Sequence, residues 1–314
     1  MYDVHSHFIP HEVLDWLKTN STIDAVWEQR VPDKEPFLTV GGKWSFELKR
    51  AFYDLDIYLA DQSANGIQHT LVSPVPQLFL YEVEPEVTKQ LAAIYNEALA
   101  CVVASHRTHL SALATLPLND PDAACHELEK AMARGLKGAI VGPAVSDIPL
   151  SDERFAELWS VADRLGAIVF IHPLLNTDKR IQRLMMPNLI GVPWETTISA
   201  LDLILGGILD RYPNMRVLLA HGGGFLPYQL GRLNKGYEVW PQIKARLNDK
   251  PASYMRRFWY DSVLWSAEAL QLLCSVAGKE RVLPGSDYPF DLQAWPPIEC
   301  DDGAVRNLLG LTHA

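Results

Sequence analysis

Five side chains in this sequence are of types that ligate a metal or move a proton, and each lies at the end of an apolar run. His5 and His7 close the N-terminal stretch Tyr2-Asp3-Val4-His5-Ser6-His7. On a strand, residues two apart point to one face, so both imidazoles can reach the same cation. Neutral imidazole nitrogens suit Zn²⁺ and similar divalent ions. Two ligands are too few, and the chain offers others. His172 follows the apolar run 167–171, His221 follows 216–220, and Asp287 follows 281–283 and a Pro-Gly-Ser turn. Three imidazoles with one carboxylate form a suitable nitrogen and oxygen set for a divalent transition metal. Each histidine taken singly also fits a surface or hydrogen-bonded role. The recurrence of the pattern at successive strand ends points to a shared metal site.

These residues need elements that bring them together. After the first strand and a helix over 11–19, residues 20–48 read as an irregular insertion punctuated by Pro32, Pro36, Gly41 and Gly42. Helical spacing covers 50–65 and stops at Asn65-Gly66. A regular alternation follows. Strands are expected at 67–72, 110–116, 138–141, 167–171, 216–220, 258–260 and 281–283. Helices are expected at 85–105, 121–134, 152–165, 196–212, 225–246, 267–277 and 303–309. Asp120 and Ser151 are candidate N-caps. A second long loop spans 174–194. Eight strands alternating with helices imply a parallel sheet closed into an α/β (β/α)₈ TIM barrel. The strands are short and almost wholly apolar, as strands buried on both faces are. An open doubly wound sheet is the alternative, but no Gly-rich dinucleotide fingerprint and no P-loop is present. In the barrel, all five polar residues fall at C-terminal strand ends, where active sites are built. The 20–48 insertion would lie over that face of a single domain covering 1–314.

The other histidines fit bland roles. His69 lies inside the second strand, His106 and His109 flank a turn on the opposite rim, and His126 sits in a surface helix pattern. His11 falls at a helix start and His313 in the tail. Of 314 residues, 48% are hydrophobic and 21% charged, which is ordinary globular composition. The net charge of −10 comes without a basic patch, which argues against nucleic acid or anionic membrane as partner. No apolar run reaches membrane-spanning length, and Asp3, His5 and His7 interrupt any signal-peptide core. Cys101, Cys125, Cys274 and Cys300 are widely spaced and read as reduced thiols of a cytoplasmic protein.

The motifs Asp3-Val4-His5-Ser6-His7-Phe8, Ile171-His172-Pro173, Leu219-Ala220-His221-Gly222-Gly223-Gly224 with Leu230-Gly231-Arg232, and Gly285-Ser286-Asp287-Tyr288-Pro289-Phe290 carry a resemblance. The sequence resembles the amidohydrolase superfamily over nearly its whole length. Within it, the match is to the metal-dependent decarboxylases typified by 2-amino-3-carboxymuconate 6-semialdehyde decarboxylase. That resemblance implies one divalent metal, zinc or else manganese, held by His5, His7, His172 and Asp287. It implies His221 as the acid/base residue. It also implies Arg232 as an arginine reaching a substrate carboxylate, commonly across a homodimer interface.

Two departures stand out. Two-metal members of the superfamily carry a lysine at the end of strand four, where this chain has Val141-Gly142-Pro143, so one metal is expected. The type enzyme places an arginine in the loop after strand one, where this chain has Phe46, with Lys49 and Arg50 a few residues on. The segment after Phe290 is also short. The expected reaction is non-oxidative decarboxylation of a conjugated or aromatic carboxylic acid. A divalent cation absorbs the charge that develops as CO₂ leaves, and Asp287 or His221 returns a proton to carbon. Trp44, Phe46, Phe290 and Trp295 would line a flat substrate. The competing reading is hydrolysis of an amide, lactone or C–C bond, or hydration of a double bond, with His221 as general base on a metal-activated water. A non-catalytic metal site is the third.

Overall fold

A computed structural model of the chain describes residues 1–42, 44–298 and 302–311. Eight parallel strands form the centre: β1 (Tyr2–His7), β2 (His69–Ser73), β3 (Leu110–Ala112, continuing as Ala114–Thr115), β4 (Gly138–Val141), β5 (Ile168–Ile171), β6 (Arg216–Leu219), β7 (Trp259–Asp261) and β8 (Val282–Leu283). Ladders join β1 to β2, β2 to β3, and β3 through to β8 in sequence order. The circle closes because the Val4 N–H donates to Pro284 O at 2.8 Å, the His7 N–H donates to Tyr288 O at 2.8 Å, and Ser6 bridges Tyr288. The (β/α)₈ barrel expected from the sequence is therefore present, and no strand edge remains unpaired around it.

Strand register decides which side chains meet. Ile168–Ile171 pairs residue for residue with Gly138–Val141 on one side and Arg216–Leu219 on the other. His172 and Ala220 thus emerge at one level. Tyr260 pairs with Leu219, so Asp261 also reaches that level. Gly138 makes the β4–β5 contact possible: a Cβ there would lie 1.9 Å from Ile168 O. The barrel interior below the rim is apolar. Phe170, fully buried, shares a face with His172 and packs edge-on to His5, with ring centroids 4.9 Å apart.

Several elements depart from expectation. The 20–48 insertion is ordered, not irregular: Ala25–Glu28, Phe37–Val40 and Trp44–Glu47 form a three-stranded antiparallel sheet. Gly41 and Gly42, both at positive φ, make its second turn. Helices expected as continuous are broken at turn residues. The 196–212 helix is Val192–Leu205 and Ile208–Arg211, parted at Gly206-Gly207. The 225–246 helix is Leu226–Val239 and Pro241–Lys244, since Pro241 has no N–H to continue the ladder. The 50–65 segment is a 3₁₀ turn, Arg50–Phe52, and a helix, Leu55–Ala64, capped by Asp54. Asp120 caps Pro121–Ala133 as expected. Ser151 does not cap its helix. It bonds Asp202, and Asp152 caps the 3₁₀ turn that leads into Ala156–Leu165. Among the described residues, no helix is long and apolar enough to cross a membrane.

Candidate metal centre

The C-terminal ends of β1, β5 and β8 converge. Ligand atoms of His5, His7, His172 and Asp287 all lie within 4.8 Å of one another, and all four residues are buried. His5 Nε2, His7 Nε2 and Asp287 Oδ1 form a triangle with every side 3.2 Å. Ligands at 2.0–2.1 Å around a tetrahedral zinc are roughly 3.3 Å apart, so the spacing fits a cation.

The hydrogen-bond partners of these rings point the same way. His5 Nδ1 faces Asp261 Oδ2 at 2.5 Å, His7 Nδ1 faces Pro74 O at 3.1 Å, and His172 Nδ1 faces Pro173 O at 2.9 Å. Each acceptor fixes the ring proton on Nδ1 and leaves the Nε2 lone pair turned inward. His172 Nε2 and Asp287 Oδ1 are buried with no hydrogen-bond partner. Two imidazole lone pairs facing each other at 3.2 Å repel unless positive charge lies between them. With no cation bound, a proton on His5 supplies that charge: burial opposes it, but the carboxylates of Asp287 and Asp261 outweigh burial and lift the ring to about 10. Burial depresses His7 and, more strongly, His172, keeping both neutral. Burial also opposes charge on Asp287, yet the surrounding histidines hold its carboxyl well below the usual carboxylate range. The residues present therefore fit one divalent metal ion. Strand four ends in Val141 and Gly142, and no fifth residue joins the described cluster.

His221 sits beside the four clustered residues rather than among them. Its Nε2 is 3.4 Å from Asp287 Oδ2, its Nδ1 is buried without a partner, and Trp265 lies nearly parallel to its ring at 6.5 Å. His221 and Asp287 both adopt positive φ, 53° and 60°, a conformation that costs a non-glycine residue about 1–3 kcal/mol and collects at functional sites.

The expected substrate residues divide. Phe290 packs against His7 at 5.1 Å between ring centroids, and buried Phe46 packs behind Phe290 at 5.9 Å and on Phe52 at 5.2 Å. Trp44 lies in the insertion sheet, but its side chain is outside the described residues. Trp295 turns onto Tyr288. Arg232 is exposed on the Leu226–Val239 helix. Neither cation near Phe46 is free: Lys49 Nζ is taken by Pro289 O and Asp291, and Arg50 by Asp54.

Two carboxylates carry more of the site than the sequence singled out. Asp3 accepts from the N–H groups of His5 and Ser286 and from the Ser286 hydroxyl, tying β1 to the turn that bears Asp287. Burial pushes its carboxyl up to about 7. Asp261 closes β7 on the same rim. Its signal, a polar residue at the C-terminal end of an apolar strand, was the one that marked the histidines.

Comparison with known proteins agrees with this geometry. An amidohydrolase family model matches residues 2–313. The chain is 32% identical over 283 residues to 2-amino-3-carboxymuconate-6-semialdehyde decarboxylase of Dictyostelium discoideum, covering 87% of this chain and 79% of that one. The structure of 5-carboxyvanillate decarboxylase from Sphingomonas paucimobilis superposes with a TM-score of 0.82 at 23% identity, over 99% of each chain. A dihydroxybenzoic acid decarboxylase from a Polaromonas species, solved with manganese and the inhibitor 2-nitroresorcinol, gives 0.79 at 21% identity, over 100% of this chain and 97% of that one. A barrel with its ligand atoms at one rim, in a chain matched from end to end, leaves one assignment: this protein belongs to the amidohydrolase family.

Proposed function

We propose that the protein is a metal-dependent, non-oxidative decarboxylase of a conjugated or aromatic carboxylic acid. The observation that carries this reading is the inward convergence of three imidazoles and the Asp287 carboxylate, with His221 next to them, in a chain 32% identical to a decarboxylase. His5, His7, His172 and Asp287 would hold the ion. Bound there, a divalent cation supplies Lewis acidity to a substrate carboxylate and its neighbouring oxygen. Three imidazoles and one carboxylate favour Zn²⁺. Mn²⁺, present in the Polaromonas relative, is the competing ion, and elemental analysis of the purified protein decides between them.

The chain's own groups do the rest. The bond between the substrate's ring or chain carbon and its carboxylate breaks, CO₂ leaves, and the electron pair stays on that carbon. His221 Nε2, backed by Asp287 Oδ2 at 3.4 Å, delivers a proton to the carbon and is reprotonated from solvent. Phe290, edge-on to His7 with Phe46 behind it, forms an apolar wall that suits a flat acid and sheds water. The insertion sheet carrying Phe46 and Trp44 forms one side of the mouth.

Arg232 supports a homodimer. It lies one helical turn from Tyr228, 80% exposed, on the same helix face. Exposed Ile198 lies on the Val192–Leu205 helix that packs against the helix of Arg232, and exposed Leu184, Met185, Leu189 and Ile190 precede Val192 in the chain. A second copy covering this face brings Arg232 to its partner's site as the carboxylate clamp. Arg232→Ala then raises KM with little change in kcat, and light scattering reports a dimer. The free thiols of Cys101, Cys125 and Cys274 suit a reducing compartment such as the cytoplasm. The deciding test is metal-loaded protein incubated with a panel of conjugated and aromatic acids, reading CO₂ release against hydrolysis products. Hydrolysis without CO₂ refutes the reading.

A further inference from the structure

We infer that Asp261 is a positioning residue that sets two parts of the centre with one carboxylate: the ring tautomer of His5 and the backbone conformation that aims His221. The inference rests on the proposed roles of His5 as ligand and His221 as proton donor.

Asp261 is fully buried at the end of β7. Its Oδ2 faces His5 Nδ1 at 2.5 Å and accepts the His221 N–H at 2.9 Å. Its Oδ1 accepts the Gly222 N–H at 2.9 Å and the Val263 N–H at 3.1 Å. His221 and Gly222 are consecutive residues at positive φ, 53° and 61°. Successive N–H groups in such a turn point into one concavity that holds an anion. A carboxylate gripped there by both oxygens stabilises a backbone that histidine otherwise avoids. That turn places the His221 ring against Asp287. The same Oδ2 takes the Nδ1 proton of His5, leaving the Nε2 lone pair for a cation. All four contacts use acceptor capacity, which an ionised carboxylate has in full and an amide has at only one end. The position is also tightly enclosed. At Gly285, a Cβ would lie 2.8 Å from Asp261 Cβ and 3.0 Å from His5 Cβ, so Asp261 and His5 approach over a bare glycine.

The test is Asp261→Asn in the full-length protein, compared with wild type. Its oxygen can keep the Gly222 and Val263 N–H groups only by setting its NH₂ against His5 Nδ1 and the His221 N–H, which drives the ring proton to Nε2 and unpairs His221. Zn²⁺ affinity, measured by chelator competition, is expected to fall about 10- to 100-fold. With zinc then saturating, kcat remains depressed roughly tenfold, because the His221 turn has lost charged acceptors. A variant that binds Zn²⁺ within twofold of wild type overturns the His5 link. Full kcat at saturating zinc overturns the His221 link. Should the variant not fold, ¹⁵N-detected NMR of zinc-loaded wild type decides. A far-downfield proton on His5 Nδ1 is expected, and one at an ordinary imidazole position overturns the inference. A wild type that binds no zinc or manganese instead refutes the metal reading itself, whatever Asp261 does.

Discussion

The two rims of the barrel carry the same residue type to opposite ends. On the N-terminal rim, His69 is buried, with Nδ1 against Thr108 O at 3.2 Å and Nε2 against Ser111 Oγ at 2.9 Å. His106 and His109 place Nδ1 on the carbonyls of Val102 and Gln68. On the C-terminal rim, His7 and His172 likewise place Nδ1 on carbonyls, but their second nitrogens meet only one another, His5 and Asp287. A buried ring with both nitrogens satisfied by the protein is structure. A buried ring left with one lone pair, beside others in the same state, is a binding site, because an unpaired buried polar atom is costly.

That contrast is broken most severely by His172→Ala. It removes a ligand, and metal content measured by elemental analysis is expected to fall to near zero together with CO₂ release. A metal-replete, active variant ends the ligand assignment. His221→Ala acts on the same rim but outside the ligand set. Metal content stays at wild-type level, while kcat falls about 10²–10⁴-fold, the range for a lost acid/base group. Loss of metal in this variant moves His221 among the ligands. The smallest effect on the reaction belongs to the other rim. His69→Ala leaves the buried Ser111 hydroxyl unpaired, costing about 1–3 kcal/mol of stability by denaturant titration. Metal affinity and kcat stay within twofold. A catalytic loss there erases the distinction between the rims.

The insertion shows where local pattern was present and unused. Phe37–Val40 and Trp44–Glu47 flank Gly41-Gly42, a hairpin arrangement, yet four-residue strands bounded by prolines resemble loop. Asp261 shows a different limit. It was visible as a polar strand end, like Ser73, and nothing local separates the two. Its partner His5 is 256 residues away, and only barrel closure brings them to 2.5 Å. Lys49 and Arg50 follow Phe46 closely in the sequence, and the structure pairs them with Asp291 and Asp54.

Alternating apolar runs and helices were enough to specify eight βα units, and a polar residue after each of several runs was enough to place ligands on one rim. Both follow from short-range rules: burial on two faces makes a strand uniformly apolar, and chain direction sets which end faces the site. Which nitrogen of each ring is free, which carboxylate holds the His221 turn, and which cations are already paired were settled only in three dimensions. The central contacts among them join distant elements, as His5 and Asp261 do from 256 positions apart, and strand register, to which composition and local spacing are blind, sets them.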